Sequence, residues 1–205
     1  MLDRIYQDPF PTLSVTDTYV LRELKDADSE PYYAYYQDPE VGHYILATDP
    51  RTPAEARAEI LYCRNLFRGK RGFYWALANK ESDEMIGAVG LYTNNFHHRA
   101  EICYDLNRDY WRQGIMSAAI QATLAYCFRV ANMERIEAVT MLENEASQNI
   151  LIKSGFEYEG ILKSYRYYEG RFYDVHMYGM NRPMYDALHP EEKSNLDTMM
   201  DEMGG

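Results

Sequence analysis

Between Gly114 and Val130 the chain reads GIMSAAIQATLAYCFRV, in which Arg129 is the one charged residue. Ala118, Ala122 and Ala125 form a stripe of small residues at helical spacing, and Ile120, Leu124 and Cys127 form a second, apolar one. A helix that is apolar on most of its sides has to be buried, and its neighbours in sequence supply the partner. RAEICYDL comes before it and RIEAVTML after it, and both have the pattern of strands. The strand, buried helix and strand from Ile102 to Met141 therefore form a parallel unit inside an α/β layered domain.

The remaining elements fit around that unit. YVLREL alternates as a strand does, and KDADSEPYYAYYQD reads as a helix with acids at its start. TPAEARAEILYCRNLFRG opens on Thr52 with Pro53 in the first helical position, has Glu55 in support of the cap, and closes at Gly69. GFYWALANK and EMIGAVGLYT are two further strands joined by a polar turn at KESDE. EASQNILIKSG is a helix closed by Gly155, with Phe156 expected in the core. FEYEGILKSYRYY and RFYDVHMYGM form an aromatic hairpin around Glu169-Gly170. Three parts are expected: an N-terminal extension over residues 1–17, a core over 18–183, and an acidic tail over 184–205.

Composition narrows the function classes. A chain of 205 residues suits one well-buried core. The net charge of −11 disfavours nucleic-acid phosphates and anionic lipids and favours cationic partners such as amines or basic protein segments, although an acidic surface also simply keeps a protein soluble. No apolar run approaches the length needed to cross a membrane, and MLDRIYQDPFPTLS has no signal-peptide pattern. Cys63, Cys103 and Cys127 are odd in number and form no CxxC pair, so reduced thiols in a cytoplasmic protein are expected. His97-His98 has no ligand spacing around it and reads as a polar turn; no metal is expected.

WRQGIMSAA carries the local chemistry. A helix N-terminus offers unpartnered backbone N–H groups and partial positive charge, so it suits an anion. Gly114 permits a tight turn and close approach, Arg112 adds a cation, and Ser117 adds a hydroxyl. Neither GxxxxGK[ST] nor GxGxxG is present. Local chemistry alone leaves open a phosphate cradle and a plain strand-to-helix turn.

The ordered series YVLRELKDAD, QDPEVGHYI, MIGAVGLY, AEICYDL, YWRQGIMSAA and NEASQNILIKSGFEYEG resembles the GNAT acetyltransferases, and most of all their RimJ/RimL branch, from about Thr18 to Met180. The family's loop pattern [RQ]xxGx[GA] is met at Gly114, with Trp111 and Met116 departing from it at the ends. The resemblance implies a mixed, mostly antiparallel sheet of about seven strands with about four helices, and a splayed strand pair that binds acetyl-CoA. It implies that Trp111, Arg112, Gln113, Gly114, Ile115 and Met116 cradle the pyrophosphate with Ser117 beside them, and that the strand edge from Tyr104 to Leu106 pairs with the pantetheine arm.

The same resemblance implies transfer of an acetyl group to a primary amine by direct attack, with no metal and no covalent intermediate. Glu101, at the start of the cofactor-binding strand, is then the leading base; Asp105 lies on the same strand, with its side undetermined. The branch carries NxxS where this chain has Asn144 and Ser147, which implies a pantetheine contact from Asn144 and a proton for the leaving thiolate from Ser147. Asn149 is a further candidate cofactor contact, Tyr158 an alternative acid, and Lys153 a residue able to approach the 3′-phosphate. YYAYY combines core packing with a border to the acceptor site. The resemblance leans towards a protein N-terminal amine as acceptor, with a polyamine, an aminoglycoside or a non-catalytic CoA sensor as alternatives. Monomer and homodimer both remain open.

Overall fold

The structure is a computed structural model that describes residues 5–45 and 49–191; residues 1–4, 46–48 and most of the expected acidic tail, 192–205, lie outside the described residues. The described elements are β1 (Leu13–Ser14), β2 (Tyr19–Glu23), α1 (Ser29–Tyr36), α2 (Pro39–Gly42), α3 (Pro53–Arg68), β3 (Gly72–Asn79), β4 (Met85–Asn94), β5 (Arg99–Leu106), α4 (Ile115–Ala125), β6 (Arg135–Met141), α5 (Glu145–Lys153), β7 (Glu157–Tyr168), β8 (Arg171–Asn181) and α6 (Arg182–Leu188). The eight strands form one sheet in the order β1-β2-β3-β4-β5-β6-β8-β7. Every pairing is antiparallel except that of β5 with β6. The two-residue β1 and the short α2 and α6 account for the counts above seven strands and four helices.

Sequence signals set the boundaries. Thr52 Oγ1 accepts the Glu55 N–H at the start of α3, Pro53 follows it, and Gly69 closes the helix. Glu169 and Gly170 both have positive φ, 46° and 83°, as a tight two-residue hairpin between β7 and β8 demands. β3 and β4 are buried on both faces, which is why GFYWALAN and MIGAVGL read as nearly unbroken apolar runs.

The sheet separates two cores. On one face Phe73, Trp75, Leu77 and Val89 meet Ile115, Ala119, Ile120 and Leu124 of α4, so the charge-poor helix is buried as its sequence requires. Its last turn passes into a π-helical segment, Tyr126–Val130. On the other face Tyr32, Tyr35 and Tyr36 of α1 pack with Ala56, Ile60 and Cys63 of α3 over Ala76 and Ala88. The N-terminal segment adds to the first core: Tyr6 stacks on Phe73 at 4.9 Å, and the Trp75 indole donates to the Pro11 carbonyl at 2.8 Å.

One interruption positions the site. β5 and β6 pair only at Arg99↔Arg135, Ala100↔Ile136 and Glu101↔Glu137. Beyond them β5 stays on β4 as far as Leu106, and β6 stays on β8 as far as Met141. The sheet opens there like a V, as the resemblance implies.

Candidate acetyl-transfer site

The opening holds a cavity of about 370 Å³, lined among others by Glu101, Tyr104, Asn144 and Ser147. Strand alternation divides its walls. Ile102 and Tyr104 face the α4 and α5 side, with Ile102 in that core and Tyr104 packed against it. Glu101, Cys103 and Asp105 therefore face the layer built by α1 and α3.

Glu101 sits at the last residue pair before the strands part, opposite Glu137. Two carboxylates side by side need cations. Arg99 and Arg135 bind Glu137, and Arg166 of β7 binds Oε1 of Glu101. Burial is the largest influence on the Glu101 carboxyl and raises its pKa; Arg166 opposes it, Glu137 adds to it, and the net direction is upward. The result is a half-buried carboxylate with more proton affinity than a free glutamate.

Across β5 lies the start of α5. Asn144 caps this helix, its Oδ1 accepting the Ser147 N–H at 3.0 Å. The Ser147 hydroxyl is 2.7 Å from the Tyr104 hydroxyl, a link that the sequence reading missed. Burial pushes the Tyr104 pKa up, so the phenol holds its proton. Cys103, also on the cavity wall, has its thiol pushed up to about 12 by burial and by Glu101 and Asp105 beside it.

Past Leu106 a 3-10 turn, Arg108–Tyr110, leads into the loop before α4. Gly114 is the N-cap of α4, with φ 77° and no side-chain cap on the helix. A side chain at Gly114 would project into open space, so the backbone there is accessible to a ligand. Arg112 also has positive φ, 62°. The loop is held by the Trp111 indole N–H on the Leu106 carbonyl at 2.8 Å and by the Gln113 amide on the Asp109 carbonyl at 3.0 Å. Ile115 and Met116 bury their side chains in the core, which leaves backbone N–H groups for an anion; Ser117 is half-buried. An uncapped helix N-terminus behind an accessible glycine, aligned with an open strand edge, fits a pyrophosphate and its pantetheine arm.

The structure does not bring every candidate to the cavity. Asn149 and Lys153 are exposed on α5. Tyr158 is half exposed on β7, where it packs on His176 at 5.1 Å and on Tyr178 at 5.5 Å. His97 and His98 lie in a turn, His97 exposed and His98 half-buried, and no cluster of potential metal ligands occurs among the described residues. Tyr32 and Tyr36 do line the cavity, while Tyr35 donates to Asp105 Oδ1 at 2.6 Å. Asp105 is 7% exposed, and burial pushes its carboxyl up to about 7. That it shares a strand face with Glu101 could have been counted from the strand period; its burial depends on where α1 crosses.

Comparison with known proteins gives a consistent picture. The family model described as the acetyltransferase (GNAT) domain matches residues 19–157. The chain is 34% identical to the uncharacterized N-acetyltransferase YoaA of Bacillus subtilis over 85% of this chain and 98% of that protein. It is 25% identical to the ribosomal protein uS5-alanine N-acetyltransferase of Escherichia coli over 87% of this chain and 95% of that one. A RimL ribosomal alpha-N-protein acetyltransferase solved with coenzyme A superposes with a TM-score of 0.73 at 21% identity, covering 83% of this chain and 98% of the other.

Proposed function

The chain belongs to the GNAT acetyltransferase family and is an acetyl-CoA-dependent N-acetyltransferase, and from that premise we propose that its acceptor is a protein N-terminal α-amine, acetylated by direct attack in a ternary complex. The observation that carries this reading is the placement of Glu101 and the Ser147–Tyr104 pair on opposite faces of β5, at one cavity where the strands part. Acetyl-CoA supplies an activated thioester there. The residues of the chain manage two protons and one alignment.

Glu101 takes the proton of the attacking amine. Its raised pKa makes it a better base than a free glutamate. Arg166 engages Oε1, and among the described residues no hydrogen bond reaches Oε2. Ser147 gives a proton to the leaving sulfur. Tyr104, kept protonated by burial, shares a hydrogen bond with the Ser147 hydroxyl in which either oxygen can donate; with the phenol as donor, the serine hydrogen is free to point to the sulfur. The loop from Trp111 to Ser117 holds the pyrophosphate through backbone N–H groups, and the β5 edge with Asn144 holds the arm. Holding donor and amine together removes much of the entropic barrier.

Direct attack is favoured by the state of Cys103. A covalent acetyl-cysteine needs a thiolate, and this thiol is pushed up to about 12. The acceptor class is favoured by the uS5-alanine relative and by the net charge of −11, which suits basic protein segments. Initial velocities with an N-terminal peptide test both points. Intersecting double-reciprocal lines, and no acetylated enzyme by intact mass in the absence of acceptor, are expected. Parallel lines with a stable acetyl-enzyme contradict the mechanism, and equal rates for free and blocked N-termini contradict the acceptor.

A further inference from the structure

The wall of the cavity on the α1 and α3 side carries more carboxyl groups than transfer to a single amine requires. Glu101 is neutralised by Arg166. Asp105 and Glu59 line the same cavity, and among the described residues neither has a cationic partner. Asp105 accepts from the Tyr35 hydroxyl, and Glu59 accepts from the Cys63 thiol at 3.6 Å; both are neutral donors. Tyr32, Tyr36 and Tyr92 complete the wall. A separate polar group lies on the opposite wall of the same cavity. Thr140 of β6, on the strand face it shares with Ile136 and Ala138, also lines the cavity, is 5% exposed, and its Oγ1 has no hydrogen-bond partner among the described residues.

Buried carboxylates are normally paired with cations, and an unpaired one facing a cavity is a site for a cation that arrives with a ligand. The amine that attacks cannot be that cation, because it must be neutral when it reacts. Tyrosine rings beside the carboxylates add favourable contacts for an ammonium or guanidinium group. Resting on the acceptor reading above, we propose that this chain selects acceptors with a second cationic group, held by Asp105 and Glu59 while the first amine reacts beside Glu101. Four residues of strand separate Glu101 from Asp105, so the two nitrogens lie on the order of 10 Å apart. A basic side chain close to the N-terminal amine of a peptide meets that requirement.

The test compares kcat/KM for matched acceptors: one peptide with lysine in its second position against the same peptide with norleucine, and spermidine against hexylamine. The lysine peptide is expected to exceed its partner by about tenfold, the worth of one charge-assisted contact. Asp105→Asn is expected to reduce that ratio to near unity, a change that a merely structural role for Asp105 would not produce. Should Asp105→Asn fail to fold, Glu59→Gln and the wild-type ratios decide. A wild-type ratio near one, or a ratio that survives in the variant, overturns the inference and leaves the N-terminal acceptor standing. A preference for spermidine over hexylamine with no peptide acetylated supports the cation site and overturns the N-terminal acceptor.

Discussion

The hydroxyls of Tyr104 and Ser147 lie 2.7 Å apart and join β5 to the first turn of α5 where β5 and β6 have separated. The contact ties the wall of the opening to Ser147, the residue proposed to protonate the leaving sulfur. Because burial keeps the phenol protonated, the proposed part of Tyr104 is to orient Ser147 and not to act as a proton reservoir.

Ser147→Ala is expected to lower kcat by about tenfold or more, the low end of general-acid effects, and Tyr104→Phe by less. Both defects should shrink when acetyl-CoA is replaced by a thioester of a more acidic thiol, which needs less help to leave. A defect of the same size with every donor would contradict a role at the thiolate.

The pH dependence of turnover reports on Glu101. Burial raises its pKa and Arg166 opposes that, so the rate should rise with pH through a midpoint above the ordinary glutamate value. Arg166→Gln removes the opposing cation and should move the midpoint further up. Glu101→Gln should remove that step and slow turnover at neutral pH with little change in CoA affinity. A loss of about twofold or less, roughly 0.4 kcal/mol of barrier, would exclude Glu101 as the base.

Asp105 predicts a stability effect with a definite sign. Its carboxyl, about 7 in the folded chain, stands above its unfolded value, so the folded state binds more protons between the two values and loses stability as pH rises through that window. In Asp105→Asn this contribution is absent. The variant should therefore gain thermal stability relative to wild type between about pH 4 and pH 7, by a few kcal/mol at most. Parallel melting curves across that range would contradict the assignment.

Gly114 separates folding from binding. Its φ of 77° strains any other residue, while a side chain there meets no neighbour within 4 Å. Gly114→Val should cost about 1–2 kcal/mol of stability and should weaken CoA far more than that cost implies, by blocking the approach to the backbone. Unchanged CoA affinity by calorimetry would remove the loop from the cofactor site.

Local chemistry explains what could be read from the sequence and what could not. Thr52, Pro53 and Gly69 declared α3, and the unbroken apolar runs declared β3 and β4, because these signals act within a few residues. β1 has two residues and no period to detect, and the short α6, capped by Asn181 with Pro183 in its first turn, was not read from the sequence. At the site, Glu101, Tyr104, Asn144 and Ser147 meet at one cavity. The Tyr104–Ser147 link joins residues 43 apart and the Tyr35–Asp105 link residues 70 apart, and no local pattern encodes such contacts. Asn149 and Tyr158 are of suitable type, but α5 and β7 turn them towards solvent.

The most direct test of the central claim is free-thiol release from acetyl-CoA by the purified protein, with N-terminal peptides, spermidine and an aminoglycoside offered separately. Release that depends on a peptide with a free N-terminus, with the acetyl group found by mass on its α-amine, is the predicted result. Binding of CoA without release for any peptide, or release confined to the small amines, would contradict it.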